Sequence, residues 1–189
     1  APALAELPEV DVASGIGFVS ALLPGKTKGT TLTVVDPLTI TKVFDLSVES
    51  GSLDELADDS IAISRKKANE EGWSIGSEVT FASLAGEPRT MRVAAIYEED
   101  ALAGSFTVSS SVLEGSDTAL FYFVVFVLRA EGASEAATKQ AVETVVDRIA
   151  PAGKTLTLTE FVDDQAKQAD PLLNVVYGLL ALSVVIAAV

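Results

Sequence analysis

Three short stretches of the chain carry residue types that do chemistry in other settings. Pro24-Gly25-Lys26-Thr27 matches the tail of a phosphate-binding loop, whose backbone N–H groups cradle phosphates while the lysine reaches toward them. That loop needs a glycine five positions before its second glycine, and Ser20 stands there. No helix pattern follows Thr27, so no helix N-terminus would receive the anion. Ser64-Arg65-Lys66-Lys67 has the S-x-x-K spacing in which a lysine activates a serine. The S-D-N and K-T-G elements that accompany it are missing, and helix capping accounts for Ser64. Two acidic clusters, Asp54/Glu55/Asp58/Asp59 and Glu98/Glu99/Asp100, offer oxygens that suit calcium. Neither has the alternating spacing that wraps oxygens around one ion, so both read as solvated turns.

Composition closes most other routes. The 189 residues contain no His and no Cys. Disulfides, Cys/His zinc sites, Cys nucleophiles and every dyad or triad with a histidine base are thereby excluded. A pair of carboxylates stays open, but nothing singles one out. The expectation is no catalytic, cofactor-binding or metal-binding residue. With 13 basic against 27 acidic side chains, the formal charge is −14. That balance argues against a nucleic-acid partner and against a polybasic patch on anionic lipid.

The elements that would position any site are legible from periodicity and caps. Residues 9–23 are apolar and β-branched, with Gly15 and Gly17 inside, and predict a strand with a bulge or bend. After a Gly- and Lys-rich turn, 30–36 predicts a second strand. Pro37 after Asp36 starts a helix to about residue 45. Residues 60–64 predict a short strand, followed by a helix capped by Ser64 and ended by Gly72. SEVTFASL and RTMRVAAIY alternate around AGEP and predict a hairpin; 105–109 suggests another strand. The ten apolar residues 119–128 are too short to cross a bilayer as a helix and predict a strand buried on both faces. Ser134 caps a helix to about Ile149, with Ala141, Val142, Val145, Val146 and Ile149 on one face. TLTLT at 155–159 alternates strictly and predicts a strand, giving a strand–helix–strand unit of right-handed crossover.

Mean hydropathy is +0.39 despite the acidic load, so the apolar residues are concentrated somewhere. They lie at the end, in LLNVVYGLLALSVVIAAV (172–189), which carries no charge. An 18-residue helix is about 27 Å long, close to the hydrocarbon thickness of a bilayer. The span assigned on this basis comprises Leu172, Leu173, Val175, Val176, Tyr177, Gly178, Leu179, Leu180, Ala181, Leu182, Val184, Val185 and Ile186. Its small residues suit close helix–helix approach. The flank 160–171 holds four acids and only Lys167 as a base, which places residues 1–170 on the extracytoplasmic side. The opening APALAELPEV has no initiator Met, basic region or apolar core of a signal peptide, and reads as an excised piece of a longer chain.

The order of segments from Val34 to Asp100 resembles the extracytoplasmic domain of MacB/FtsX-type ABC transporter permeases. The resemblance rests on Asp36-Pro37, the turn Gly51-Ser52-Leu53, then Ile63-Ser64, Ala68, Gly72-Trp73, Gly76 and Val79, and a strand ending at Val93–Tyr97. Ser77 stands where Asp is common. LLNVVYGLLALSVVIAAV resembles the start of that family's second membrane helix. The resemblance implies an α+β fold: a porter-like βαβ lobe with a smaller β-rich lobe inserted at roughly 46–112, then a long helix entering the membrane. It implies a core domain over 1–170 and a truncated membrane helix over 171–189. It makes Asp36, Pro37, Gly51, Gly72, Trp73 and Gly76 structural positions. It also implies a non-catalytic subunit that couples ATP hydrolysis by a separate cytoplasmic ABC ATPase to export or to mechanical transmission. The implied partners are that ATPase, a second permease chain, and a peptide, lipid or lipoprotein substrate or a cell-wall hydrolase. The rival expectation, of a different class, is a secreted or tail-anchored binding or adhesion domain whose last helix is buried core.

Overall fold

A computed structural model of the chain describes residues 1–98, 103–164 and 167. The residues divide into two compact units, Ala1–Gly132 and Ala133–Val189.

The first unit opens with a helical turn, α1 (Pro2–Ala5), and a 13-residue strand, β1 (Val10–Leu22). β2 (Thr30–Val35) and α2 (Pro37–Val43) follow, then β3 (Val48–Gly51), β4 (Ser60–Ser64) and α3 (Arg65–Glu71). β5 (Glu78–Leu84) and β6 (Glu87–Tyr97) form a hairpin; β7 (Phe106–Ser109) and β8 (Tyr122–Arg129) complete the sheet. The strands are ordered β2-β7-β4-β6-β5-β1-β8, and β2 also pairs with β1. That last pairing closes β1, β2, β7, β4, β6 and β5 into a ring, which removes the open edges among those strands.

The ring encloses the main core. Leu32, Val34, Ile61, Ile63, Val79, Phe81, Leu84, Met91, Val93, Phe106 and Val108 point into it and are essentially solvent-free. Alternation along β4 decides this: Ile61 and Ile63 face the ring, while Ala62 faces outward. Phe106 is the aromatic hub, with Phe81 edge-on at 5.8 Å and Trp73 tilted at 6.2 Å between centroids. Outside the ring, β3 lies along the end of β6, where Leu46, Leu53, Leu56, Ala62, Ala95, Tyr97 and Ala103 form a second cluster.

β1 is long because it serves two sets of partners. Gly17–Ala21 pair with β2 and Ala21–Leu22 with β5, inside the ring. Val10–Gly17 pair with β8, outside it. The register shifts at Ile16/Gly17, where the sequence predicted a bend. The glycines are required by crowding: a methyl group at Gly15 would overlap the Tyr122 ring, and one at Gly17 the Leu120 side chain. α2 covers this part of the sheet through a cluster of Ile16, Val35 and Ile40, flanked by Val43, Phe44, Val124 and Phe126.

In the second unit, α4 (Glu135–Ile149) begins at Ser134, whose hydroxyl accepts from the Ala137 N–H at 3.2 Å. Val142, Val145 and Thr138 are buried. Ile149, which the periodicity placed on the apolar face, is exposed.

Two sequence expectations need correction. TLTLT is not a strand: 153–157 has no regular structure and a helix begins at 158. The cause is a capping box hidden in the alternation. The Thr157 hydroxyl accepts from the Glu160 N–H at 3.2 Å, and the Glu160 carboxylate accepts from the Thr157 N–H at 2.8 Å. Nor is β8 buried on both faces. It starts at Tyr122, and Phe121 and Phe123 are 81% and 78% exposed. The apolar span assigned at 172–186 lies outside the described residues. Among the described residues, no helix is long and apolar enough to cross a membrane.

Candidate functional site

The side chains with chemical potential are committed to structure. Ser64 is buried, and its hydroxyl accepts from the Lys67 N–H at 3.2 Å as the cap of α3. The Lys67 ammonium lies 2.7 Å from Glu71 Oε1 and 3.7 Å from Glu70, and 5.9 Å from the centre of the Phe106 ring. Glu71 is held below the usual carboxylate range, first by the hydrogen bond from Lys67, then by the positive charges of Lys67 and Lys26. The serine is thus a cap and the lysine an ion-pair partner, which is not the geometry of a lysine-activated nucleophile. Residues 23–29 form the loop between β1 and β2, and a strand follows Thr27 in place of a phosphate-receiving helix.

Among the described residues, no group of three or more carboxylates is arranged to hold a metal ion. Asp54 and Glu55 sit on an exposed 3-10 turn capped by Ser52. Glu99 and Asp100 lie outside the described residues.

Two depressions stand out among the described residues of the first unit. A cleft of about 480 Å³ lies between the β5–β6 turn and residues 114–118, with Glu87, Arg89, Glu114 and Asp117 on its walls. A smaller one, about 200 Å³, is lined by Asp36, Thr39, Ser110 and Tyr122 among others.

The positions singled out by the family pattern do structural work in separate places. The Asp36 carboxylate caps α2, accepting from the Leu38 N–H at 3.0 Å, with Pro37 in the first turn. Thr39 Oγ1, one turn in, donates to Ser14 Oγ at 3.0 Å and ties α2 to β1. Gly51 ends β3 with a φ of 76°, and a methyl group there would overlap the Ala94 carbonyl oxygen of β6. Gly72 ends α3 in the left-handed conformation, and the Trp73 N–H donates to the Ala68 carbonyl at 2.9 Å. The Trp73 ring packs against the barrel core. The Gly76 N–H donates to the Val93 carbonyl at 2.8 Å, joining the α3–β5 turn to β6. The structure brings Gly72, Trp73 and Gly76 into one turn; it places Asp36–Pro37 and Gly51 elsewhere.

Two polar centres escaped sequence reasoning. Tyr97 is fully buried, with its hydroxyl donating to the Gly104 carbonyl at 3.0 Å and lying 3.2 Å from Thr107 Oγ1. No sequence pattern marks these contacts, seven and ten residues on. In the second unit, Lys139 on α4 donates to both carboxylate oxygens of Glu160, at 2.6 and 2.8 Å. The Lys139 ammonium is held above the ordinary lysine value and Glu160 below the ordinary carboxylate value, each chiefly by this hydrogen bond. The capping spacing Thr157-x-x-Glu160 was the available signal for the second centre.

No family model and no curated protein sequence matches the chain. Its structure is similar to solved ones. The periplasmic region of MacB from Actinobacillus actinomycetemcomitans aligns over 79% of this chain and 72% of its own, with a TM-score of 0.59 and 10% identity. The extracellular domain of the noncanonic ABC-type transporter YknZ from Gram-positive bacteria aligns over 82% and 83%, with a TM-score of 0.55 and 20% identity. A domain of a candidate permease from Porphyromonas gingivalis aligns over 86% and 87%, at 0.53 and 17%. The chain therefore has the α+β fold of the MacB-like extracellular domain, as the resemblance implied. At these identities, the likeness establishes the fold.

Proposed function

We propose that this chain is the extracytoplasmic domain of an ABC transporter permease subunit. The observation that carries the reading is the shared fold over about four fifths of the chain with two transporter outer domains. The uncharged stretch 172–189 supports it, since it supplies an anchor of bilayer length. In this reading, residues 1–170 lie outside the cytoplasm, 171–189 enter the membrane, and roughly 46–112 are the β-rich insertion. A cytoplasmic ABC ATPase and a second permease chain complete the assembly.

The subunit itself is non-catalytic; its task is to pass movement. ATP-driven closure of the ATPase shifts the membrane helices, and the outer domain follows as a rigid body, serving export or mechanical transmission. Two features suit that task. The closed ring around Phe106 makes the first unit resistant to local deformation. In the second unit, the Lys139–Glu160 pair ties the start of the helix at 158 to α4.

The test is affinity purification of the full-length protein from its native membrane with a tag on this chain. The reading expects an ATP-binding subunit to copurify, with vanadate-sensitive ATP hydrolysis. Purification of the chain alone, with no nucleotide-binding partner under mild solubilisation, would overturn it.

A further inference from the structure

The chain's cations are unevenly placed. Five of the 13 fall on one loop and one short helix: Lys26 and Lys28 on the β1–β2 loop, and Arg65, Lys66 and Lys67 on α3. The loop and the helix lie at the same end of the ring: β2 runs parallel to β7 with Thr33 opposite Thr107, and β7 runs antiparallel to β4 with Phe106 opposite Ile63, so β2 begins level with the point where β4 passes into α3. The acids of this region are engaged: Glu49 pairs with Arg65, and Glu70 and Glu71 with Lys67. Lys26, Lys28 and Lys66 are exposed and form no ion pair among the described residues. Apolar surface follows directly after α3. Ile75 is 45% exposed, and Trp73 is half-buried with its ring 6.2 Å from Phe106, over which Lys67 sits.

We propose that the β1–β2 loop, α3 and the Trp73–Ile75 turn form a docking surface for an acidic protein segment carrying an apolar anchor. Unpaired lysines on the loop and helix at the end of the ring where Trp73 is partly open combine charge steering with an aromatic hot spot. On a chain of charge −14, the choice between anionic partners follows from size. An anionic lipid plane would face the acidic surface around the patch as well and be repelled. A peptide segment touches only the patch, and charges farther than about 8 Å are screened at physiological ionic strength. This surface stands independently of the permease reading, since it rests only on the first unit's geometry.

Trp73 is the only tryptophan, so its emission reports from the patch itself. The experiment titrates the full chain, held in a neutral detergent, with poly-L-glutamate and follows Trp73 fluorescence. A saturable shift that weakens with added salt is expected. The Lys26→Glu/Lys28→Glu/Lys66→Glu variant should bind at least about tenfold more weakly, as three exposed pairings are lost. Lys28→Glu alone should bind about twofold more weakly. Arg148→Glu/Lys154→Glu, which changes two cations of the second unit, should leave the response intact. The proposal is overturned by any of three results: no Trp73 response, equal weakening in the second-unit control, or a response to phosphatidylglycerol vesicles with none to poly-L-glutamate.

Discussion

Gly51→Ala is the sharpest test of the outer sheet, because two costs at that position can be separated. The first is conformational: at a φ of 76°, an alanine costs about 1 kcal/mol. The second is spatial. The added methyl would overlap the Ala94 carbonyl oxygen and meet the Ala95 Cα at 3.0 Å. Both atoms belong to the β6 backbone, so relief requires β3 to move away. Movement weakens the Gly51–Ala95 pairing and the 3.3 Å bond from the Ser52 N–H to the Ala94 carbonyl, each worth about 1 kcal/mol. It also loosens the cluster of Leu53, Leu56 and Tyr97 beneath. The total is about 4 kcal/mol. Gly72→Ala is the control, with a φ of 71° and no atom within 4 Å of the added methyl, so only the conformational cost of about 1 kcal/mol applies. Thermal unfolding followed by Trp73 fluorescence should show melting temperatures lower by about 12 °C and about 3 °C, respectively. Equal losses in the two variants would refute the claim that β3 is pressed against β6 at Gly51.

Other substitutions probe separate links. Tyr97→Phe should destabilise by about 1–2 kcal/mol in denaturant titration, because the Gly104 carbonyl loses its donor in a closed site. Ala85→Asn should stabilise by about 0.5 kcal/mol in the same assay. The φ values of 52° at Ala85 and 94° at Gly86 fit a type I′ hairpin turn, in which Asn-Gly is favoured over Ala-Gly. The Lys139–Glu160 pair predicts a pH response in the second unit. Glu160 is depressed in the folded state, so its contribution is complete above the unfolded carboxylate value and is lost as pH falls through the folded one. Lys139 is raised, so its contribution is complete below the ordinary lysine value of 10.5 and is lost as pH rises through the folded one. Amide-exchange protection at 158–164 should fall as the pH drops below the ordinary glutamate value of 4.5 and on through the lower folded one, and Glu160→Gln should abolish that response.

Much of the fold was readable locally. Caps at Asp36, Ser64 and Ser134, the glycine stop at Gly72 and the Ala85-Gly86 turn each depend on a few adjacent residues. The long-range pairings were not readable. Closure of the ring requires β2 to meet both β1 and, in parallel, β7, some 75 residues on. No period in the sequence encodes that. β3 is four residues of mixed character, set by its fit against β6, and carried no strand signal. TLTLT shows two local patterns in conflict: the alternation favours a strand, while Thr157-x-x-Glu160 favours a helix start, and side-chain bonds to the backbone won. For function, the missing His and Cys excluded several chemistries, and the order of family-pattern residues pointed to the MacB-like extracellular-domain fold. The lysines of the β1–β2 loop and α3 share one end of the ring only through the pairing of β2 with β7 and of β7 with β4.

The placement of the domain outside the cytoplasm is the central claim most directly open to measurement. These 189 residues hold no cysteine, so once any cysteine elsewhere in the full-length protein is replaced by serine, a single introduced thiol is unambiguous. Leu38 on α2 is 68% exposed, so Leu38→Cys presents that thiol to solvent without disturbing the core. In intact cells expressing the full-length protein, a membrane-impermeant maleimide should label Leu38→Cys as fully as it does after lysis. Labelling that appears only after the membrane is broken would put this domain on the cytoplasmic side and contradict the account.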